Sequence, residues 1–181
     1  KRDPAVRVLS LPGMNIAYLA FNMTKAPYDN LDFRRAVSLA LDRKAINALV
    51  LHGLGVPAAN VVPPALWKDV APPYEEDLAE AKAALARVTP PPKDVELMYN
   101  TLPRPYNPEP QRLAEAVRDQ LRRIGLEVRL VAYDRPAFNV KYKEPGHPMY
   151  LSGWIADVPD PDNFFHPLLH GESRQDMNGA F

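Results

Sequence analysis

The chain has 181 residues, 46% of them hydrophobic and 24% charged, a composition typical of one globular domain with a sizeable core. Its 22 basic residues balance its 22 acidic ones, so there is no net charge to attract nucleic acid or an anionic membrane. The absence of cysteine excludes disulfides and thiolate chemistry.

The first part of the chain predicts one strand followed by two helices. Asn15 to Asn22 is an apolar run typical of a buried strand. Helical spacing then predicts an amphipathic helix whose buried stripe is Phe33, Ala36, Val37, Ala40 and Leu41. The candidates for its N-cap are Asp29, Asn30 and Asp32. Asp42 is positioned to cap a second helix, and Gly53 is positioned to end it.

The middle of the chain predicts a loop, a helix and a strand. The loop, Val61 to Pro73, is rich in proline and contains Trp67. Asp77 and Glu80 have the spacing of a capping box for the helix. Three consecutive prolines then separate that helix from a short strand, Val95 to Tyr99.

Residues 104–108, R-P-Y-N-P, follow this strand and precede another helix. Asn107 is expected to cap that helix with Pro108 at its first position, and Gly125 is expected to end it. Arg104 therefore lies in a loop at the end of a strand, where ligand sites are common. A loop arginine is more often a solvated charge, and the residues alone leave both interpretations open.

The chain continues with a strand, Leu126 to Tyr133, and a short helix, Pro136 to Lys143. Gly153 to Phe165 then reads G-W-I-A-D-V-P-D-P-D-N-F-F, a loop between the short strand Met149 to Leu151 and a helix that begins near Phe164. The alternation of helices and strands predicts an α/β fold.

The loop after Gly153 contains Trp154 and three carboxylates, and it has three interpretations. Asp160 or Asp162 can cap the following helix. A calcium loop does not fit, because no glycine supplies its turn and Leu168 stands where the closing glutamate would be. Asp157, nearest the strand, can instead hold a cationic group at the edge of a cleft. Spacing alone does not choose between the first and the third.

Catalytic motifs are missing from the sequence. His166 and His170 are four residues apart, but no glutamate lies between them and Pro167 follows the first, so no metal site is predicted. There is no G-x-S-x-G elbow, phosphate-binding glycine loop or cysteine nucleophile. We therefore predict that the chain is not an enzyme.

Several of these motifs occur together, and in this order, in one known family. They are Y-L-A-F-N in the first strand, R-R-A-V-S-L-A-L-D-R in the first helix, R-P-Y-N-P, and G-W-I-A-D followed by D-P-D-N-F-F. By them the chain resembles the peptide-binding class of ABC-transporter solute-binding proteins, the family of the dipeptide- and oligopeptide-binding proteins. R-P-Y-N-P is similar to the dipeptide-binding branch in particular.

The resemblance implies a fold and a set of ligand-binding residues. The fold is one lobe of a two-lobed, type II periplasmic-binding-protein-like architecture, with a mixed sheet flanked by helices. In the family the residue matching Asp157 receives the ammonium of the peptide, and the one matching Arg104 grips its carboxylate. Trp154 would then supply a stacking wall that excludes water and strengthens both pairs.

The resemblance also implies what surrounds the chain. Residues 1–181 are expected to be a single, truncated C-terminal lobe whose partners are a missing N-terminal lobe, short peptides and the membrane permease of an ABC importer. No cofactor, metal or nucleic acid is expected. The expected location is the periplasm or the outer face of the membrane, with or without a lipid anchor. The alternatives are a nickel chelate, haem or oligosaccharide as ligand, or a metal-dependent hydrolase of a different class.

Overall fold

The structure is a computed structural model that describes residues 5–7, 9, 11, 13–67 and 75–170. Its elements, in chain order, are β1 (Asn15–Ala20), α1 (Leu31–Ala40), α2 (Arg43–Val50), α3 (Leu78–Ala86), β2 (Val95–Asn100), α4 (Pro110–Arg122), β3 (Val128–Tyr133), α5 (Arg135–Lys141), β4 (Met149–Ile155) and α6 (Asp162–Leu169). Part of the predicted proline-rich loop, residues 68–73, lies outside the described residues.

Within the described part of the chain, four strands form one mixed sheet in the order β1-β4-β2-β3. β4 is antiparallel to β1 and parallel to β2, and β2 is parallel to β3. Helices pack on both faces of this sheet. The predicted α/β fold with a mixed sheet flanked by helices is therefore confirmed.

The two faces of the sheet carry separate clusters of apolar side chains. On one face, Leu97 of β2 and Met149 of β4 are fully buried beneath α1, α3 and α4. On the other, Met98 and Tyr150 pack against Phe138 of α5, and a further cluster joins β1 to α6. The alternation along β2 and β4 places successive side chains in different clusters, as strand geometry requires.

The helix caps explain where most helices begin. Asn30 is the N-cap of α1, and its Oδ1 accepts from the backbone N–H of Asp32 at 2.9 Å and of Phe33 at 3.2 Å. Asp42 caps α2 in the same way, as predicted. Asp77 caps α3 through the N–H of Glu80. The Glu80 carboxylate instead pairs with Arg87, so the predicted capping box forms only on the aspartate side.

Candidate functional site

A cavity of about 420 Å³ opens at the carboxyl ends of β2 and β4, beside α5. In parallel sheets this edge is the usual location of ligand sites, and the volume lies in the range of small-molecule pockets. The three residues that the sequence singled out, Arg104, Trp154 and Asp157, all line it. The other lining residues are Asn100, Leu102, Tyr106, Asn107, Arg135, Phe138, Asn139, Tyr142, Leu151, Ser152, Gly153 and Ile155.

Arg104 is held by a tight reversal of the chain between β2 and α4. Its N–H donates to the carbonyl of Asn107 at 2.9 Å, and the Asn107 N–H donates back at 2.8 Å. The guanidinium carbon lies 5.9 Å from the centre of the Tyr106 ring, within cation–π range. The half-buried Arg104 side chain forms no ion pair with any described residue, and its Nε is buried without a hydrogen-bond partner among them.

Asn107 does not cap α4, so that prediction was wrong. The helix begins at Pro110 with Glu109 at the N-cap position and no side-chain cap. Both backbone hydrogen-bonding groups of Asn107 are used by Arg104, which ties this residue to the reversal rather than to the helix. Pro110 takes the first-turn position that the sequence suggested for Pro108, since each proline suits a helix start.

Trp154 lies on a strand and not in a loop, which corrects the predicted end of β4. The strand continues past Leu151 to Ile155 because β1 pairs with it along its whole length, Asn15 to Ile155 and Ala20 to Tyr150. Trp154 pairs with Ile16 in this register. Its ring packs partly buried against the cluster formed by β1 and α6 and leaves an edge at the cavity.

Asp157 follows β4 directly, and one side chain of α6 fixes its backbone. Asn163 Oδ1 accepts from the N–H of Asp157 at 2.9 Å and from Trp154 Nε1 at 3.4 Å. The Asp157 side chain is exposed, and its carboxylate has no hydrogen-bond or ion-pair partner among the described residues. A single amide therefore couples the position of the carboxylate to that of the tryptophan.

The other two aspartates of this segment lie outside the cavity lining. Asp160 Oδ1 accepts from the N–H of Asp162 at 2.8 Å, just before α6 begins, and Asp162 is in its first turn. Asp160 thus accepts from the first N–H of the helix although it precedes the N-cap residue, whereas Asp162 makes no side-chain cap. Pro161 occupies the N-cap position and not the first turn.

Sequence reasoning missed the wall of the cavity that α5 supplies. Arg135, Phe138, Asn139 and Tyr142 are spaced at i, i+3, i+4 and i+7, and all line the cavity. The helical spacing was visible in the sequence. Only the order of the strands in the sheet shows that this side of α5 faces the cavity. Tyr106 was also missed, although it stands inside the R-P-Y-N-P motif.

Two tyrosines of the sheet, the partly buried Tyr18 and the buried Tyr150, lie on the face that packs against α5. Burial raises the pKa of the Tyr18 and Tyr150 hydroxyls well above the usual range. Both therefore stay protonated at any physiological pH. The Tyr150 hydroxyl has no hydrogen-bond partner among the described residues.

The described residues contain no group of three or more His, Cys, Asp or Glu side chains arranged to hold a metal ion. The ring centres of His166, in α6, and His170, the residue that follows the helix, lie 4.7 Å apart, and neither residue lines the cavity. No helix in the described ranges is long and apolar enough to cross a membrane.

An α/β fold with an open cavity, flanked by opposite charges at the carboxyl ends of its strands, defines a ligand-binding domain. A family model described as "Bacterial extracellular solute-binding proteins, family 5 Middle" matches residues 1–176, and the chain belongs to this family. It is a family of solute-binding proteins of ABC transporters, so the prediction that the chain is not an enzyme is confirmed and the hydrolase alternative was wrong.

Individual relatives agree with this membership. The chain is 36% identical to Heme-binding protein A of Haemophilus influenzae, over 99% of its own length and 34% of that protein. It is 33% identical to the Dipeptide-binding protein of Escherichia coli, over 93% of its length and 32% of that protein. The crystal structure of a dipeptide-binding protein from Pseudoalteromonas sp. SM9913 in complex with Met-Leu superposes with a TM-score of 0.84 at 35% identity, covering 92% of this chain and 34% of that one. The chain thus spans about a third of the length of these relatives.

Proposed function

We propose that this chain is the C-terminal, ligand-binding lobe of an extracytoplasmic solute-binding protein that delivers di- or oligopeptides to an ABC importer. The observation that carries the proposal is that Arg104 and Asp157 line one cavity without pairing with each other or with any other described residue. Opposite charges that have no partner among the described residues suit a ligand whose two ends are themselves oppositely charged.

A short peptide is such a ligand, because its charged ends stay fixed while its side chains vary. The Arg104 guanidinium offers a planar pair of donors that matches a carboxylate. The Asp157 carboxylate accepts an ammonium. The Trp154 ring, which lines the same cavity, would exclude water and strengthen both pairs. If closure buries these pairs, removal of one partner costs about 2–5 kcal/mol of binding free energy.

The rest of the proposed protein supplies what this lobe does not. A second lobe would close over the exposed side of Asp157 and complete the cavity. A membrane permease would receive the ligand from the closed form. The site of action would be the periplasm or the outer face of the membrane, which agrees with the relative named as a periplasmic-binding protein of an ABC transporter.

Haem is the second candidate ligand, and one observation favours it: the 36% identity to a protein named Heme-binding protein A. The cavity lining argues against it. None of its described residues is His, Met or Cys, and only Tyr106 and Tyr142 offer the phenol oxygen that ligates haem iron in some proteins. The peptide proposal uses more of the side chains that are present.

The test is a thermal-shift titration of the full-length protein with Ala-Ala, N-acetyl-Ala-Ala and hemin. A ligand that binds only the folded state stabilises it by RT ln(1 + [L]/Kd), about 2.7 kcal/mol at a hundredfold excess over Kd. We expect Ala-Ala to stabilise the wild type, Arg104→Ala to abolish this effect, and Arg122→Ala, an exposed arginine of α4, to retain it.

The acetylated peptide tests Asp157 separately. It lacks the ammonium, so it should stabilise the wild type less than Ala-Ala does, and Asp157→Asn should remove most of that difference. Stabilisation by hemin without any response to dipeptides would favour the second candidate. A response to Ala-Ala that survives Arg104→Ala would refute the assignment of the carboxylate anchor.

A further inference from the structure

The charges that line the cavity do not balance. Arg104, Arg135 and Asp157 line it, so the lining carries two positive charges and one negative charge. The proposed peptide uses Arg104 for its carboxylate and Asp157 for its ammonium. A peptide with uncharged side chains is itself neutral, so it would leave the Arg135 charge without a partner among the lining residues that this chain supplies. Burial of an unpaired charge is unfavourable unless the ligand supplies its partner.

Arg135 has no partner within the described protein. Its half-buried guanidinium forms no hydrogen bond or ion pair with a described residue. The neighbouring Asp134 forms no ion pair with it; Asp134 is the N-cap of α5, and its Oδ1 accepts from the N–H of Ala137 at 2.9 Å. Arg135 therefore differs from Arg112, Arg118 and Arg122 on α4, each of which pairs with a carboxylate on the surface.

One buried side chain anchors the helix that carries Arg135 and orients its cavity-lining face. Phe138, one turn further along α5, is buried, and its ring centre lies 6.0 Å from that of Tyr150 in the sheet. Burial raises the pKa of Tyr142, and the positive charge of Arg135 opposes this rise, so the guanidinium lies close enough to act on that phenol. Asn139, one turn from Arg135, adds an amide to the same wall of the cavity.

We propose that Arg135, assisted by Asn139, binds a carboxylate in the side chain of the ligand, so that the site prefers acidic peptides. The proposal rests on the proposed function, since it assumes a peptide whose ends are held by Arg104 and Asp157. A guanidinium binds a carboxylate with two parallel hydrogen bonds, and an amide can donate a third. A peptide with one Asp or Glu side chain brings the charge of the ligand and of the lining to zero.

The experiment compares peptides that differ in one charge and almost nothing else. Calorimetric titration of the full-length protein uses Ala-Glu against Ala-Gln, and Glu-Ala against Gln-Ala. We expect the wild type to bind the acidic member of at least one pair about tenfold more tightly, a modest share of what close charge pairs can contribute. Arg135→Gln should bring that ratio close to one.

Two variants separate specificity from general damage. Arg122→Gln makes the same substitution on the outer surface of α4 and should keep the wild-type ratio. Arg135→Lys keeps the charge but loses the planar pair of guanidinium donors, so it should keep only part of the preference for acidic peptides. Equal affinities in the wild type, or a ratio that survives Arg135→Gln, would overturn this inference and leave peptide binding in place. Binding of none of the four peptides would overturn the proposed function as well.

Discussion

The ring of Tyr106 lies directly against the backbone of Gly153. The chain reversal at residues 104–107, which carries Arg104, is therefore in van der Waals contact with strand β4. A Cβ placed on Gly153 would stand 2.5 Å from Cγ of Tyr106, nearer than real side-chain contacts allow, and it would also meet the carbonyl of Ile16. Glycine at this position is what lets Tyr106, and with it Arg104, approach the strand that carries Trp154.

Gly153→Ala should therefore destabilise the protein and weaken ligand binding together. The added methyl group would displace the Tyr106 ring and the chain reversal with it, and it would also press against the Ile16 carbonyl of the paired strand β1. Overpacking of this kind costs about 1–3 kcal/mol of unfolding free energy. Urea unfolding measures the loss, and dipeptide titration measures the change in affinity.

Gly13→Ala is the matched control for this substitution. Its added methyl group would meet only the end of the Asn15 side chain, which can rotate away. We expect a change of less than about 0.5 kcal/mol in stability, typical of an exposed site. Equal losses in the two variants would mean that the contact between Tyr106 and Gly153 has no special role.

Asn163 is expected to position two of the three proposed ligand-binding residues. Asn163→Ala removes the acceptor for the N–H of Asp157 and for Trp154 Nε1, at a cost of about 1 kcal/mol in unfolding free energy. The affinity for Ala-Ala should fall as well, because Asp157 loses its link to α6. Trp154→Phe keeps an aromatic ring but loses the 3.4 Å hydrogen bond to Asn163. It should lower the unfolding free energy less than Asn163→Ala does. Unchanged peptide affinity in Asn163→Ala would show that Asp157 needs no support from α6.

Local patterns in the sequence predicted the helix caps and apolar stripes well. Asn30, Asp42 and Asp77 act on N–H groups two or three residues away, so short-range spacing contains the necessary information. The end of β4 and the role of Asn107 were predicted wrongly, since both depend on partners distant in the sequence or on a choice between two prolines.

The candidate site was predicted in part, from family resemblance and not from local sequence patterns. Arg104, Trp154 and Asp157 were singled out by family resemblance, and the structure brings them to one cavity. Their binding roles stay predictions. Arg135 belongs to a short helix whose orientation depends on the order of strands in the sheet. Sequence spacing gives the face of a helix but not what that face meets.

Two buried tyrosines, one on each face of the sheet, allow a direct test of what their hydroxyl groups contribute. Tyr28 and Tyr150 are each only 1% exposed. The Tyr28 hydroxyl accepts from the N–H of Glu96 at 3.2 Å, whereas the Tyr150 hydroxyl has no partner among the described residues. Tyr28→Phe should lower the unfolding free energy by about 1 kcal/mol, and Tyr150→Phe should leave it unchanged or raise it by a similar amount. A loss of equal size in both, measured by urea unfolding, would show that Tyr150 has a partner of its own.

His147 should make the stability depend on pH. Burial lowers the pKa of this half-buried imidazole below 6.5, and the charge of Lys25 acts in the same direction. The unfolded chain then takes up a proton at a higher pH than the folded one does. The contribution of His147 is fully present above the unfolded pKa of about 6.5, and it is lost as the pH falls through the folded pKa. Unfolding free energy should therefore decrease between about pH 7 and pH 5.

His147→Phe isolates this effect. It removes the titrating group while keeping a ring against Tyr150, whose centre lies 5.4 Å from that of the imidazole. The variant also loses the contact between Nδ1 and the Pro148 carbonyl at 2.8 Å, so its stability at neutral pH should be lower by about 1 kcal/mol. The diagnostic quantity is therefore the slope of stability against pH, which we expect to be shallower than in the wild type over this range. Parallel slopes would assign the acid sensitivity to other groups, because a site that no longer titrates cannot contribute to proton uptake on unfolding.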